Sequence, residues 1–191
     1  MTMKTLDASI CAAVCGIFIV LMAPLLRAAT LAQLSLEQLV DAAHVIVRSE
    51  AVSNLAVWHD GEIWTITTFR VEDNWKGRAP QQIQVWIIGG QAGRITSYVA
   101  GAPRFRPGEE AILFLEAARD REISITAWGE GTFRIRRDAR TGESRVTQDT
   151  AALPEFASPA KASHQDPIRD WPIAKFRERV AQALAIPRGA K

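Results

Sequence analysis

The stretch His59-Asp-Gly-Glu-Ile-Trp-Thr-Ile-Thr-Thr-Phe-Arg-Val-Glu-Asp-Asn-Trp-Lys-Gly77 decides the fold. It opens on an Asp-Gly pair, whose tolerance of positive backbone dihedrals suits a two-residue β-hairpin turn, and continues with a period of two. Ile63, Thr65, Thr67, Phe69 and Val71 fall on one face, and Glu62, Trp64, Ile66, Thr68, Arg70 and Glu72 on the other. Upstream, Val45, Val47, Ser49 and Ala51 alternate in a strand that runs irregularly to Trp58. Downstream, Lys76-Gly77 and the Pro80 loop lead into a third strand, with Ile83, Val85 and Ile87 on one side and Gln84 and Trp86 opposite, ended by Gly89-Gly90.

Beyond this meander the chain keeps to short strands. Gln91 to Glu110 is an irregular connection with one short strand at Ile95 to Val99, and Ala111 to Leu115 is apolar without alternation, the pattern of a strand covered on both faces. Ile123 to Trp128 reads as the next strand, and Thr132 to Arg136 with Ser144 to Thr147 as a hairpin about the Asp138 to Gly142 turn. Ser35-Leu-Glu-Gln38 is a capping-box pattern, so a short helix carrying Leu36, Leu39, Val40 and Ala43 precedes the first strand. Residues 150–169, rich in Ala, Pro and Ser, form a linker or surface strap. A last helix over 170–186 starts at Asp170 as cap with Pro172 in its first turn, its buried stripe being Ile173, Phe176, Val180 and Leu184. The plan is mostly β (α+β), a small antiparallel barrel of five to seven strands over 33–149 with a helix at each end.

Cys11 and Cys15, the chain's two cysteines, both lie in the apolar run Ile10 to Leu26. With Lys4 ahead of it, Pro24 near its end and Ala28, Ala29 and Ala32 after it, this run has the layout of a secretory signal peptide. Its 17 residues sit at the low edge of a bilayer span. Cleavage is expected between about residues 28 and 33, which leaves a thiol-free chain and excludes cysteine catalysis and cysteine-ligated zinc. An uncleaved signal anchor is the alternative. Removing Lys4, Arg27 and Asp7 from the totals of 23 basic and 21 acidic residues leaves 21 against 20. That balance lacks the basic excess of a nucleic-acid binder. The arginines at Arg134, Arg136, Arg137 and Arg140 read as a solvated strand edge.

Leu36-Glu-Gln-Leu-Val-Asp-Ala-Ala-His-Val-Ile-Val47, the strand Thr65 to Val71, Trp75-Lys-Gly77, Gly89-Gly90 and Phe105-Arg-Pro-Gly-Glu-Glu-Ala-Ile-Leu-Phe-Leu115 resemble a broad group of exported bacterial proteins. In that group a small barrel is similar to the OB-fold of tissue inhibitors of metalloproteinases and the netrin-like module. The resemblance spans about Leu34 to Trp128, and the carboxy-terminal helix fits the same group. It implies an OB-like fold and an exported, periplasmic or extracellular location. Those inhibitors chelate the catalytic zinc through an amino-terminal cysteine, for which this chain has no matching residue.

His59, Asp60 and Glu62 form the tightest group of side chains able to bind metal or move protons, and the demands of the hairpin turn explain all three. His44 and His164 are far apart in sequence. There is no Gly-x-Ser-x-Gly elbow around Ser97 or elsewhere. Gly89-Gly90-Gln-Ala-Gly93 lacks the Gly-Lys-Ser/Thr and the following helix of a phosphate loop. Six tryptophans stand against one tyrosine, and Trp64 and Trp86 fall on the more polar strand faces. The sequence therefore points to a non-catalytic binding domain. Its face is made of Trp64, Trp86 and the loop Gly89 to Arg106, where Arg94, Arg104 and Arg106 would meet a carboxylate or sulfate. No cofactor or metal is implied, and the expected partner is another exported or envelope protein. Two alternatives stay open: a secreted hydrolase using the His59 to Glu62 turn or the Gly89 to Arg106 loop, and a metalloprotease inhibitor.

Overall fold

Ser35 starts the first element as its sequence pattern requires. In the structure, a computed structural model describing residues 34–117, 122–149 and 167–186, the Gln38 amide donates to Ser35 Oγ at 3.2 Å. The Ser35 amide donates back to Gln38 Oε1 at 2.8 Å, opening helix α1 (Leu36–Ala42). The other end of α1 is capped from a distance. Lys76 Nζ donates to the Val40 carbonyl at 2.6 Å and to that of Ala43, setting a cation where the helix dipole is negative. The leader and residues 150–166 of the linker lie outside the described residues.

Strands β1 (Val45–His59) and β2 (Glu62–Lys76) form one antiparallel hairpin, turned at Asp60 and Gly61 with φ of 49° and 80°. The irregularity of β1 resolves into register shifts at Ile46/Val47, Arg48/Ser49 and Ala51/Ser53. Such bulges bend a strand and sharpen its twist. β1 pairs with β2 along its length and with β6 (Glu110–Ala117) over Val45 to Glu50. β2 continues into β3 (Gln82–Ile88), and a small separate hairpin, β4 (Gly90–Ala92) and β5 (Ile95–Ser97), follows. β7 (Ile123–Ile125) pairs antiparallel with β6 and parallel with β3 through Val85↔Ile123. The five strands β1-β2-β3-β7-β6 thus close into a ring of OB-like order, antiparallel everywhere except at that one seam. From β6 the sheet runs on through β8 (Thr132–Arg137), β9 (Ser144–Gln148) and β10 (Trp171–Pro172), giving an eight-stranded sheet. The fold is mostly β, of the α+β class.

β6 explains why Ala111 to Leu115 shows no alternation. Ala111, Leu113 and Leu115 point into the ring with Val47, Phe69, Ile83, Val85, Ile87, Phe105 and Ile125. Ile112 and Phe114 point the other way, into a second core with Leu39, Ile46, Phe133, Val146, Phe176 and Val180 beneath α1 and the last helix, α2 (Ile173–Ala185). One strand serves two cores, so each of its residues from Ala111 to Leu115 is buried.

Three sequence expectations are corrected. The strand beginning at Ile123 ends at Ile125 instead of Trp128, because Ala127 and Trp128 adopt left-handed φ of 49° and 51°. The Trp128 amide donates to the Ile125 carbonyl at 3.2 Å, and a Cβ on Gly131 would lie 2.0 Å from the Thr126 carbonyl oxygen. Asp170 does not cap the last helix. Trp171 and Pro172 pair with Val146 and Arg145 as a strand, Asp170 binds Arg145 Nε at 2.8 Å, and α2 starts after Pro172 without a side-chain cap. Leu184 is exposed, and Ala183 packs toward the core in its place.

Candidate functional site: an aromatic hollow at the ring seam

The outer face of β2 and β3 carries the site. Cross-strand partners share a face, so Trp64 stands between Val57 and Ile88, and Ile66 between Leu55 and Trp86. Trp64 and Trp86 are diagonal neighbours, half-buried, with ring centroids 6.3 Å apart and planes at 63°. His59, from the hairpin tip, packs edge-on against Trp86 with centroids 5.3 Å apart. Its Nε2 lies 4.0 Å from a carboxylate oxygen of Glu122, the residue just before β7.

Where β3 and β7 run on past their single pair, the wall opens into a hollow of about 170 Å³. Trp64, Trp86 and Ile88 line it from the meander, Glu122, Ser124 and Ile125 from β7, and Ala102 and Pro103 from the long connection. Trp128 closes it from the left-handed turn, with its ring beside Gly101, where a Cβ would lie 3.4 Å from the indole. Two successive non-glycine residues at positive φ cost on the order of 1–2 kcal/mol each. The cost is borne in a turn that delivers a 45 % exposed tryptophan to the hollow. A second, more open groove runs along the other side of Trp86 and shares Glu122.

The structure brings Trp64 and Trp86 together and leaves Arg94, Arg104 and Arg106 out of the hollow. Arg94 and Arg106 are exposed. Arg104 Nη2 donates to the Ser97 carbonyl at 2.9 Å, tying the β4–β5 hairpin to the loop. The glycine that opens that hairpin is set by close approach: a Cβ on Gly90 would meet Thr65 Oγ1 at 2.2 Å. Arg134 is not a solvated edge residue. Its guanidinium reaches Asp149 at 2.7 Å, Glu109 at 2.6 Å and the Arg104 carbonyl at 2.5 Å, and lies 4.4 Å from the Phe105 ring centroid. It locks the base of the connection that supplies Ala102 and Pro103.

Sequence reading missed Trp128 and Glu122, while Ala102 and Pro103 belong to the Gly89 to Arg106 loop it assigned to the face. Trp128 carried a signal, in the Gly-Glu-Gly131 run that follows it, because two glycines beside an aromatic mark a turn more readily than a strand. Of the turn residues, Asp60 is 91 % exposed in its side chain and Glu62 is exposed, so only His59 of that trio joins the aromatic face. Among the described residues no group of three or more His, Cys, Asp or Glu side chains is placed to hold a metal ion. The chain matches no protein-family model and no curated protein.

Proposed function

We propose that this chain is an exported, non-catalytic binding domain that recognises its ligand on the outer face of β2 and β3, through Trp64, Trp86 and Trp128. The observation that carries this reading is the hollow itself: three partly exposed tryptophans converge on it from three separate segments. Large apolar rings left facing water mark contact sites, because burying them costs little entropy and gains much area. The position adds support. In an OB-like ring the face of the second and third strands, flanked by the first hairpin loop and the loop between the fourth and fifth strands, is where ligands are bound. Here His59 stands at the end of β1 beside the first hairpin loop, and Glu122 lies where the connection from β6 enters β7. The leader layout in the sequence and the resemblance to exported proteins support recognition outside the cytoplasm.

The test is a pull-down from the native envelope fraction with immobilised protein, wild type against a Trp64→Ala/Trp86→Ala double variant. A component retained by the wild type and released by the variant, while far-ultraviolet circular dichroism stays unchanged, is the expected result. Equal retention by both proteins would move recognition elsewhere on the surface.

A further inference from the structure

We infer that the hollow between Trp64, Trp86, Trp128 and Glu122 takes a quaternary ammonium group, of the choline and betaine class of solutes. The inference rests on the recognition face proposed above and adds the chemistry of its ligand. Three features lead to it.

The first is the arrangement of rings. Trp64 and Trp86 meet at 63°, so they form two walls of a corner instead of the flat platform on which a planar base or a sugar face stacks. Trp128 supplies a further wall. The negative face of an aromatic ring attracts a cation, most strongly for tryptophan, and several such faces around one site are the arrangement that recognises quaternary ammonium. The second is the polar inventory. Apart from Glu122 and Ser124, the described side chains lining the hollow are apolar or aromatic. A sugar or a nucleotide would leave most of its donors and acceptors unpaired there, which is costly. A quaternary ammonium group has no hydrogen bonds to satisfy and needs only a counter-charge. Glu122 provides it, with its side chain 22 % exposed and no lysine or arginine lining the hollow among the described residues. The third is size. About 170 Å³ is below the roughly 300 Å³ at which pockets for drug-sized ligands begin, so the hollow fits a head group and not a whole lipid or peptide.

The experiment is a titration of the purified protein with choline and, separately, with 3,3-dimethylbutan-1-ol, its neutral isostere, followed through the indole N–H resonances. Choline is expected to shift the signals of Trp64, Trp86 and Trp128 and to bind about tenfold more tightly than the isostere, a difference of about 1.4 kcal/mol. Glu122→Gln should weaken choline several-fold more than the isostere, and Trp128→Leu, which keeps some apolar bulk without the ring face, should do the same. Co-sedimentation with phosphatidylcholine vesicles, competed by free choline, would show that a lipid head group can be the source of the same chemistry. Equal binding of choline and isostere would overturn the inference, as would choline affinity that Glu122→Gln leaves intact or indoles that choline does not move. If that occurs while the Trp64→Ala/Trp86→Ala variant still releases the envelope component, the recognition face stands and the cation is wrong. Retention by both proteins in the pull-down removes the face itself.

Discussion

Phe176→Ala tests how the second core is held. The ring is fully buried, with its centroid 4.6 Å from that of Phe133 and 5.9 Å from that of Trp75, and it is the largest side chain that α2 commits to the core. Truncating a buried Phe to Ala costs about 3–5 kcal/mol through lost transfer energy and the cavity left behind. Two aromatic contacts disappear with it, each worth about 0.5–1.5 kcal/mol beyond area, which favours the upper half of that range. A 13-residue helix is marginal in water by itself, so α2 has no independent stability to oppose the loss. The expected effect is about 4 kcal/mol, or a fall in Tm of roughly 8–16 °C for a chain of this size. Urea denaturation followed by circular dichroism and by tryptophan emission measures it. Leu184→Ala on the same helix is the control, since that side chain is 38 % exposed and should cost less than about 1 kcal/mol. A loss below about 1.5 kcal/mol for Phe176→Ala, or an equal loss in both variants, would refute the packing argument.

Ser49 is fully buried in β1, and its Oγ has no hydrogen-bond partner among the described residues. Ser49→Ala is therefore expected to raise stability by about 0.5–1 kcal/mol, and a loss in urea titration would reveal a partner instead. In the β8–β9 turn, hydrogen bonds from the backbone amides of Thr141 and Arg140, at 3.0 and 2.8 Å, hold the Asp138 carboxyl below its ordinary value. A depressed folded pKa stabilises the fold above the unfolded value of about 3.9 and loses that contribution as pH falls through the folded one. The stability gap between wild type and Asp138→Asn should thus be constant near neutrality and shrink below about pH 4. Urea midpoints at pH 7 and pH 3 decide it, and a gap that does not change with pH would contradict the assignment.

How much was legible follows from the range of the forces involved. Period-two alternation from Ile63 to Val71 located both the strand and the outward tryptophan, because side chains in a strand alternate whatever it pairs with. The same rule put Trp86 on the outer face of β3. The strand reading failed at Trp128, where Ile123 to Trp128 was expected to be extended and two left-handed residues make a turn. There the crowding of Gly131 against Thr126 and the bond from the Gly129 amide to the Gly101 carbonyl, at 3.1 Å, override local preference. Asp170 failed for a related reason: as a cap it competes with the pairing of Trp171 to Val146, and the strand wins.

By itself the amino-acid sequence determined the elements whose causes are local: the Ser35–Gln38 box, the Asp60-Gly61 turn, the alternating strands, and a doubly covered strand at Ala111 to Leu115. Only the tertiary structure decided that β3 and β7 meet at a single pair, leaving a gap that Trp64, Trp86, Trp128, Glu122 and Pro103 surround. Those residues come from segments up to 64 positions apart, Trp64 to Trp128. What assembles them is closure of the ring and the fixing of the long connection by Arg134. Both depend on contacts between segments distant in the chain, and a local pattern cannot encode those contacts.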